Sequence, residues 1–296
     1  MSAMDKITIE GVRDFDPART FCCGQCFRWY PSAGGAWTGL VGTRLVRVLF
    51  LPEKDGGGRL EIVGTEPGQE AFWRRYFDLD RDYGEIERRL SDGDPVMEQA
   101  VRAGRGIRIL RQDLWETIVS FLISQNNNIP RIQGCIERLC LEFGDPAVVS
   151  YNTDLSGRED QPDGSILQAA IPAPEVLAAL EPEDLSEVRL GYRAEYLIGT
   201  ARAVCRRGLP ESGDDLLALP GVGPKVADCI RLFGMGEVDR FPVDVWIRRV
   251  MSQMYGLPDR TDSIRDFARE RFGDLGGFAQ QYLFYWQRNA GKNAAD

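Results

Sequence analysis

The chain of 296 residues contains no histidine. That excludes Ser-His-Asp and Cys-His nucleophilic catalysis, the HExxH metalloprotease helix and most zinc chemistry. Acid–base or nucleophilic work therefore falls to carboxylates, lysine, cysteine or tyrosine. No apolar run approaches the roughly 20 residues that cross a bilayer. The amino terminus MSAMDKITIEG shows no secretory signal pattern. Seven cysteines form an odd set without a regular framework, which predicts a reducing cytoplasm. Cys23 and Cys26 make one CxxC with no second pair, a weak metal signal.

A basic surplus is also missing, since the net charge is −9. That is a poor omen for a nucleic-acid binder. The acidity is local, however: residues 152–187 carry nine acidic residues against Arg158, so this stretch alone holds −8. Residues 101–143 carry six arginines against four acids. An acidic protein can still present a basic face, so the total charge does not decide the partner.

What is present reads as an α+β protein. AWTGLVG, RLVRVLF and RLEIVG are short, β-rich and broken by glycines, with EKDGGG as a turn between the last two. They predict an antiparallel sheet. From GQEAFWRRYF onward the pattern becomes helical, and a boundary is expected near residue 98, dividing 1–98 from 99–296. Asp113 and Glu116 resemble a capping box, and Leu114, Ile118, Phe121 and Leu122 form a buried stripe at helical spacing. That helix runs into SQNNN, whose asparagines favour a turn. IPRIQGCIERLCLEFG begins the next helix and ends on Gly144. Residues 152–174 read as an exposed acidic loop.

The segment GDDLLALPGVGPKVADCIRLFG, within about residues 213–235, reads as helix, tight turn, helix. Pro224 suits the first helical position, which makes Lys225 the second. Val226, Ile230 and Phe233 share a core-facing stripe, whereas Lys225 and Cys229 are neighbours four positions apart on another face. A cation at this end of a helix opposes the dipole. Two readings are open. Lys225 is a surface lysine beside a phosphate held by the turn, or it is a nucleophile whose pKa is lowered by the helix end and partial burial. Asp244, between Pro242 and VWIRRVM, reads locally as the N-cap of another helix.

LPGVGPKVADC and FPVDVW resemble the helix-hairpin-helix DNA glycosylase superfamily. GQCFRW, SQNNNIPRI, LGYRAEY and GGFAQQYLFYW, in that order along nearly the whole chain, make the 8-oxoguanine DNA glycosylases the more specific resemblance. It implies a β-rich amino-terminal domain followed by a helical glycosylase region. Lys225 is then the Schiff-base nucleophile and Asp244 the carboxylate that supports it. Gly24, Cys229, Phe233, Gln280 and Phe284 belong to the pocket for the flipped base. Gly24 accepts the N7–H that 8-oxoguanine has and guanine lacks; its local reading is a strand glycine at a bulge. Gln280 bonds the pairing edge, while Phe284 and Cys229 sandwich the ring. Asn126 fills the gap left by the base, Tyr192 wedges the stack, and Arg131 and Arg193 read the opposite cytosine. Gly221, Val222 and Gly223 hold a phosphate.

The implied partner is double-stranded DNA containing oxidised guanine. No cofactor, metal or membrane is expected, and the protein is expected to be a cytoplasmic or nucleoid monomer. Trp246 departs from relatives that carry histidine there. The iron–sulfur branch needs four cysteines after the aspartate, and the last cysteine here is Cys229. A non-catalytic DNA-binding module is the alternative from another class.

Overall fold

The computed structural model describes residues 6–54, 57–147 and 169–289. Most of the expected acidic loop, 152–168, lies outside them. Five strands build one antiparallel sheet: β1 (Lys6–Arg13), β2 (Trp29–Pro31), β3 (Trp37–Val41), β4 (Arg44–Pro52) and β5 (Gly57–Val63). The spatial order is β1-β5-β4-β3-β2. The three expected strands are β3, β4 and β5, and Glu53 N–H closes the turn onto the Gly57 carbonyl at 2.8 Å. β1 and β2 are additional. β1 carries its own signal, since Ile7 and Ile9 face inward between polar neighbours. β2 has only three residues, and its pairing with β3 is decided by tertiary contact.

Helix α1 (Pro17–Cys22) lies between the first two strands; α2 (Glu70–Tyr76), α3 (Tyr83–Ser91) and α4 (Pro95–Gly104) follow the sheet. Then come α5 (Leu114–Ser124), α6 (Ile129–Phe143), α7 (Pro174–Ala178), α8 (Arg193–Arg207) and α9 (Gly213–Leu217). The last four are α10 (Pro224–Ile230), α11 (Val245–Tyr255), α12 (Thr261–Phe272) and α13 (Gly276–Asn289). One face of the sheet packs Ile9, Val46, Val48, Leu60 and Ile62 against Phe21, Trp73 and Phe77. Burial of such side chains stabilises by about 1.5–3 kcal/mol each. A second, larger core gathers the remaining helices. Residue 98 falls inside α4, whose Met97, Ala100 and Val101 belong to that helical core, as do Tyr83, Ile86 and Leu90 of α3.

The two cores are sewn together where the site will lie. Gln25, 1 % exposed, donates to the carbonyls of Thr20 (2.9 Å) and Arg108 (2.7 Å). It accepts from Leu110 N–H at 2.8 Å, and Gln112 Nε2 donates to its backbone carbonyl at 2.7 Å. Gln281 of α13 donates to the Cys23 carbonyl at 2.8 Å, across 258 positions of sequence. A bend is thereby held between an extended segment and the last helix. The Cys23 and Cys26 thiols form no disulfide and donate to the Thr20 and Phe21 carbonyls. Among the described residues, no helix is long and apolar enough to cross a membrane.

Candidate active site

The hairpin forms as its composition requires. α9 opens on a capping box between Ser212 and Asp215. Gly221 turns the chain at φ +77°, and a Cβ there would stand 2.4 Å from Cγ of Tyr196. Gly223 is the N-cap of α10 and Pro224 its first residue. Only glycine satisfies both the positive φ and the close approach at position 221. Gly221→Ala is therefore expected to lower stability by about 1–3 kcal/mol, read as a fall in Tm. Gly223→Ala should cost less, because a Cβ there meets nothing within 4 Å.

Lys225 is half-buried in the first turn of α10. Its Nζ lies 5.7 Å from the centroid of the Phe121 ring, and its side chain hydrogen-bonds to that of Cys229. Phe121 stacks on Phe233 at 5.5 Å and meets Phe27 edge-on at 5.9 Å. These rings tie the lysine to the GQCFRW segment. Phe121 itself reads in the sequence only as a core stripe, because periodicity does not report what lies above a ring. Phe233, assigned to the base pocket, is 3 % exposed and stands behind Phe121 in this stack.

Asp244 caps α11, its Oδ1 accepting from Trp246 N–H at 3.0 Å and Ile247 N–H at 2.8 Å. The carboxylate is thus anchored to a helix end. Burial raises its pKa above the usual carboxylate value, opposed by the Ile247 amide and the Lys225 charge. Burial likewise pushes the Cys229 thiol up. For Lys225 the outcome corrects the sequence expectation. Burial pulls its pKa down, but its neighbours Cys229 and Asp244 oppose that more strongly, and the net direction is upward. Contact with the Phe121 ring face favours the cation too. The helix end is one small influence among larger ones brought by the fold.

A second group is built on Gly24 and α13. Gly24 lies in a bend between α1 and β2 at φ +83°, which replaces the expected strand bulge. A Cβ there would stand 3.1 Å from Cε1 of Phe284, so the two residues are brought together. Gln280, one turn earlier on α13, is 6 % exposed, and its Oε1 is buried without a hydrogen-bond partner. An unsatisfied buried acceptor costs about 1–3 kcal/mol, a cost that a ligand able to supply the donor would relieve.

A third group faces outward. Asn126 is exposed at φ +47°, and its Nδ2 donates to the Tyr192 hydroxyl at 3.1 Å. Tyr192 is 48 % exposed. It meets Tyr196 edge-on at 5.6 Å, and Tyr196 packs on Gly221, which links this group to the hairpin. Arg131 is exposed near the start of α6. Arg193 differs: it is 7 % exposed and donates to the carbonyls of Gln125, Asn126 and Leu190. Its guanidinium here holds the strained Asn126 turn. Trp246 is half-buried, with Arg249 Cζ 5.0 Å above its ring. Among the described residues no group of His, Cys, Asp and Glu could hold a metal ion.

A sheet-plus-helix fold whose hairpin delivers a lysine beside a capped aspartate defines the class. Residues 119–272 match the HhH-GPD superfamily of base excision DNA repair proteins, and residues 7–118 match the 8-oxoguanine DNA glycosylase amino-terminal domain. The chain belongs to the 8-oxoguanine DNA glycosylase family of that superfamily. It is 29% identical to the Arabidopsis thaliana N-glycosylase/DNA lyase OGG1 over 294 residues, 90% of this chain and 75% of that one. It is 31% identical to a probable N-glycosylase/DNA lyase of Methanothermobacter thermautotrophicus, covering 73% of each. Among solved structures, the Clostridium acetobutylicum 8-oxoguanine glycosylase/lyase, bound to duplex DNA with cytosine opposite 8-oxoguanine, superposes with a TM-score of 0.85. It is 37% identical, over 97% of this chain and 96% of that one. MBOgg1 in complex with a low-affinity DNA ligand also superposes at 0.85, with 40% identity over 98% of both chains.

Proposed function

We propose that the protein excises 8-oxoguanine from double-stranded DNA, with cytosine opposite, and then nicks the abasic strand. The observation that carries this reading is the meeting of Lys225, Cys229 and the anchored Asp244 at the hairpin, in a chain of this family. The clostridial relative's complex with cytosine opposite 8-oxoguanine supports the choice of opposite base.

A base cannot be processed inside the duplex and is flipped into a pocket. Gly24 accepts N7–H, Gln280 meets the pairing edge, and Phe284 and Cys229 flank the ring. Asn126 and Tyr192 occupy the space left in the stack. Arg131, the exposed arginine of the pair, meets the opposite cytosine, and Arg193 keeps the Asn126 turn in place. Amides of Gly221, Val222 and Gly223 face a phosphate. The neutral Lys225 amine attacks C1′; the C1′–N9 bond breaks and the base leaves with its electron pair and takes up a proton. One amine proton then passes to O4′ as the C1′–O4′ bond breaks and the sugar ring opens, leaving a protonated Schiff base. Loss of the C2′ proton expels the 3′ phosphate by β-elimination. The Asp244 carboxylate stabilises the positive charge that develops on the sugar.

Borohydride trapping tests the reading: a covalent enzyme–DNA complex is expected on 8-oxoguanine·cytosine duplex. DNA binding with neither trapping nor cleavage would leave only a binding module. The upward shift of Lys225 adds a pH prediction. kcat/KM reports the free enzyme, in which the ammonium predominates at neutral pH. Excision under kcat/KM conditions should therefore rise about tenfold per pH unit from pH ~7 to ~9. A plateau already at pH ~7 would contradict a free-enzyme lysine held protonated.

A further inference from the structure

One charged side chain beside Gly24 and Phe284 has no part in the scheme above. Arg288 sits one turn beyond Phe284 on α13. Its Cζ lies 5.8 Å from the Phe284 ring centroid, and its Nη2 donates to the Cys22 carbonyl at 2.9 Å. Its Nη1 is buried and has no hydrogen-bond partner among the described residues. That nitrogen lies 3.6 Å from where a Cβ on Gly24 would stand. α13 therefore carries two buried unsatisfied groups of opposite kind on either side of Phe284 in sequence: an acceptor on Gln280 and a donor on Arg288. A base with donors on one edge and a carbonyl on the other satisfies both.

We infer that Arg288 is a specificity-determining residue of the base pocket, its Nη1 donating to the C8 carbonyl oxygen of the oxidised purine. This rests on the 8-oxoguanine reading, in which Gly24 meets N7–H. O8 is on the carbon bonded to N7, so it comes to the side of the pocket where Arg288 Nη1 adjoins Gly24. Guanine presents no acceptor at C8, and its approach would leave the guanidinium donor unsatisfied. An unmet buried donor discriminates more strongly than a missing apolar contact does. The anchor to Cys22 and the Phe284 ring leave the guanidinium little freedom to turn away. The residue thus adds a second test of oxidation beside the N7–H contact at Gly24.

The experiment compares single-turnover excision of 8-oxoguanine and 8-thioguanine, both opposite cytosine, by wild type, Arg288→Ala and Arg288→Lys. Both bases carry N7–H, and sulfur is the weaker acceptor. Wild type should prefer the oxo base. Arg288→Ala should reduce that preference about tenfold, the scale of one charge-assisted hydrogen bond, and Arg288→Lys should keep part of it. A merely structural role would slow both substrates equally and leave their ratio untouched. An unchanged ratio in Arg288→Ala overturns the inference. So does tighter lesion binding with faster excision, which would mean that the guanidinium only fills the space the base requires. Absence of 8-oxoguanine excision by wild type overturns the functional reading, and this inference with it.

Discussion

Lys225→Gln should reduce base excision and strand cleavage by at least about a thousandfold while lesion binding stays within a few-fold. Glutamine suits a helix nearly as well as lysine and fills similar space, but it has no nucleophilic amine. Asp244 would then lose its buried cation, which now lowers its pKa against the effect of burial. The two amide bonds from Trp246 and Ile247 remain to hold it, so the fold should survive at a cost of about 1 kcal/mol. Single-turnover excision, borohydride trapping and lesion binding are measured side by side. Turnover by the variant within tenfold of wild type would sink the Schiff-base mechanism.

The second large effect is expected from Asp244→Asn. Asparagine caps helices about as well as aspartate, so Tm should change little. The negative charge that supports the sugar cation is gone, and excision should fall by about 10²–10³-fold. The same substitution removes the carboxylate charge that helps raise the Lys225 pKa. The alkaline rise of the residual rate should therefore move to lower pH. A variant with a normal rate would leave Asp244 as a helix cap and nothing more. Asp244→Ala separates the roles from the other side, adding a cap loss of about 0.5–2 kcal/mol to the loss of rate.

Much of the fold was legible because it is written in short-range patterns. The hairpin follows from two glycines, two prolines and an apolar stripe. Three strands follow from β-branched runs between glycines, and the α5 and α11 caps from aspartates at the right offset. β1 was also readable from its alternation, but β2 was not, because three residues carry no period. The ordered motifs point to Gly24, Gln280 and Phe284 as candidates, yet nothing local says that a glycine in the first bend touches a ring on the last helix. Gln25 explains the gap: it joins residues 20, 108, 110 and 112, a network visible only after the chain has folded.

Arg193 and Lys225 mark the same limit in electrostatic form. A sequence shows an arginine at a helix start; it does not show that carbonyls of a strained turn will take its donors. It shows a lysine at the positive end of a dipole, which by itself disfavours the ammonium. The neighbours that outweigh this are Cys229 on the same helix and Asp244, the cap of another. The sequence by itself determined the hairpin, the lysine at its exit, the capped aspartate and the family, because turn and cap chemistry acts within a few residues. Only the tertiary structure decided the direction in which that lysine's pKa moves, the use of Arg193 and the placement of Arg288 beside Gly24. Charge balance and pocket shape depend on neighbours in space, and the distance between Cys22 and Arg288 along the chain, 266 positions, is closed by one hydrogen bond.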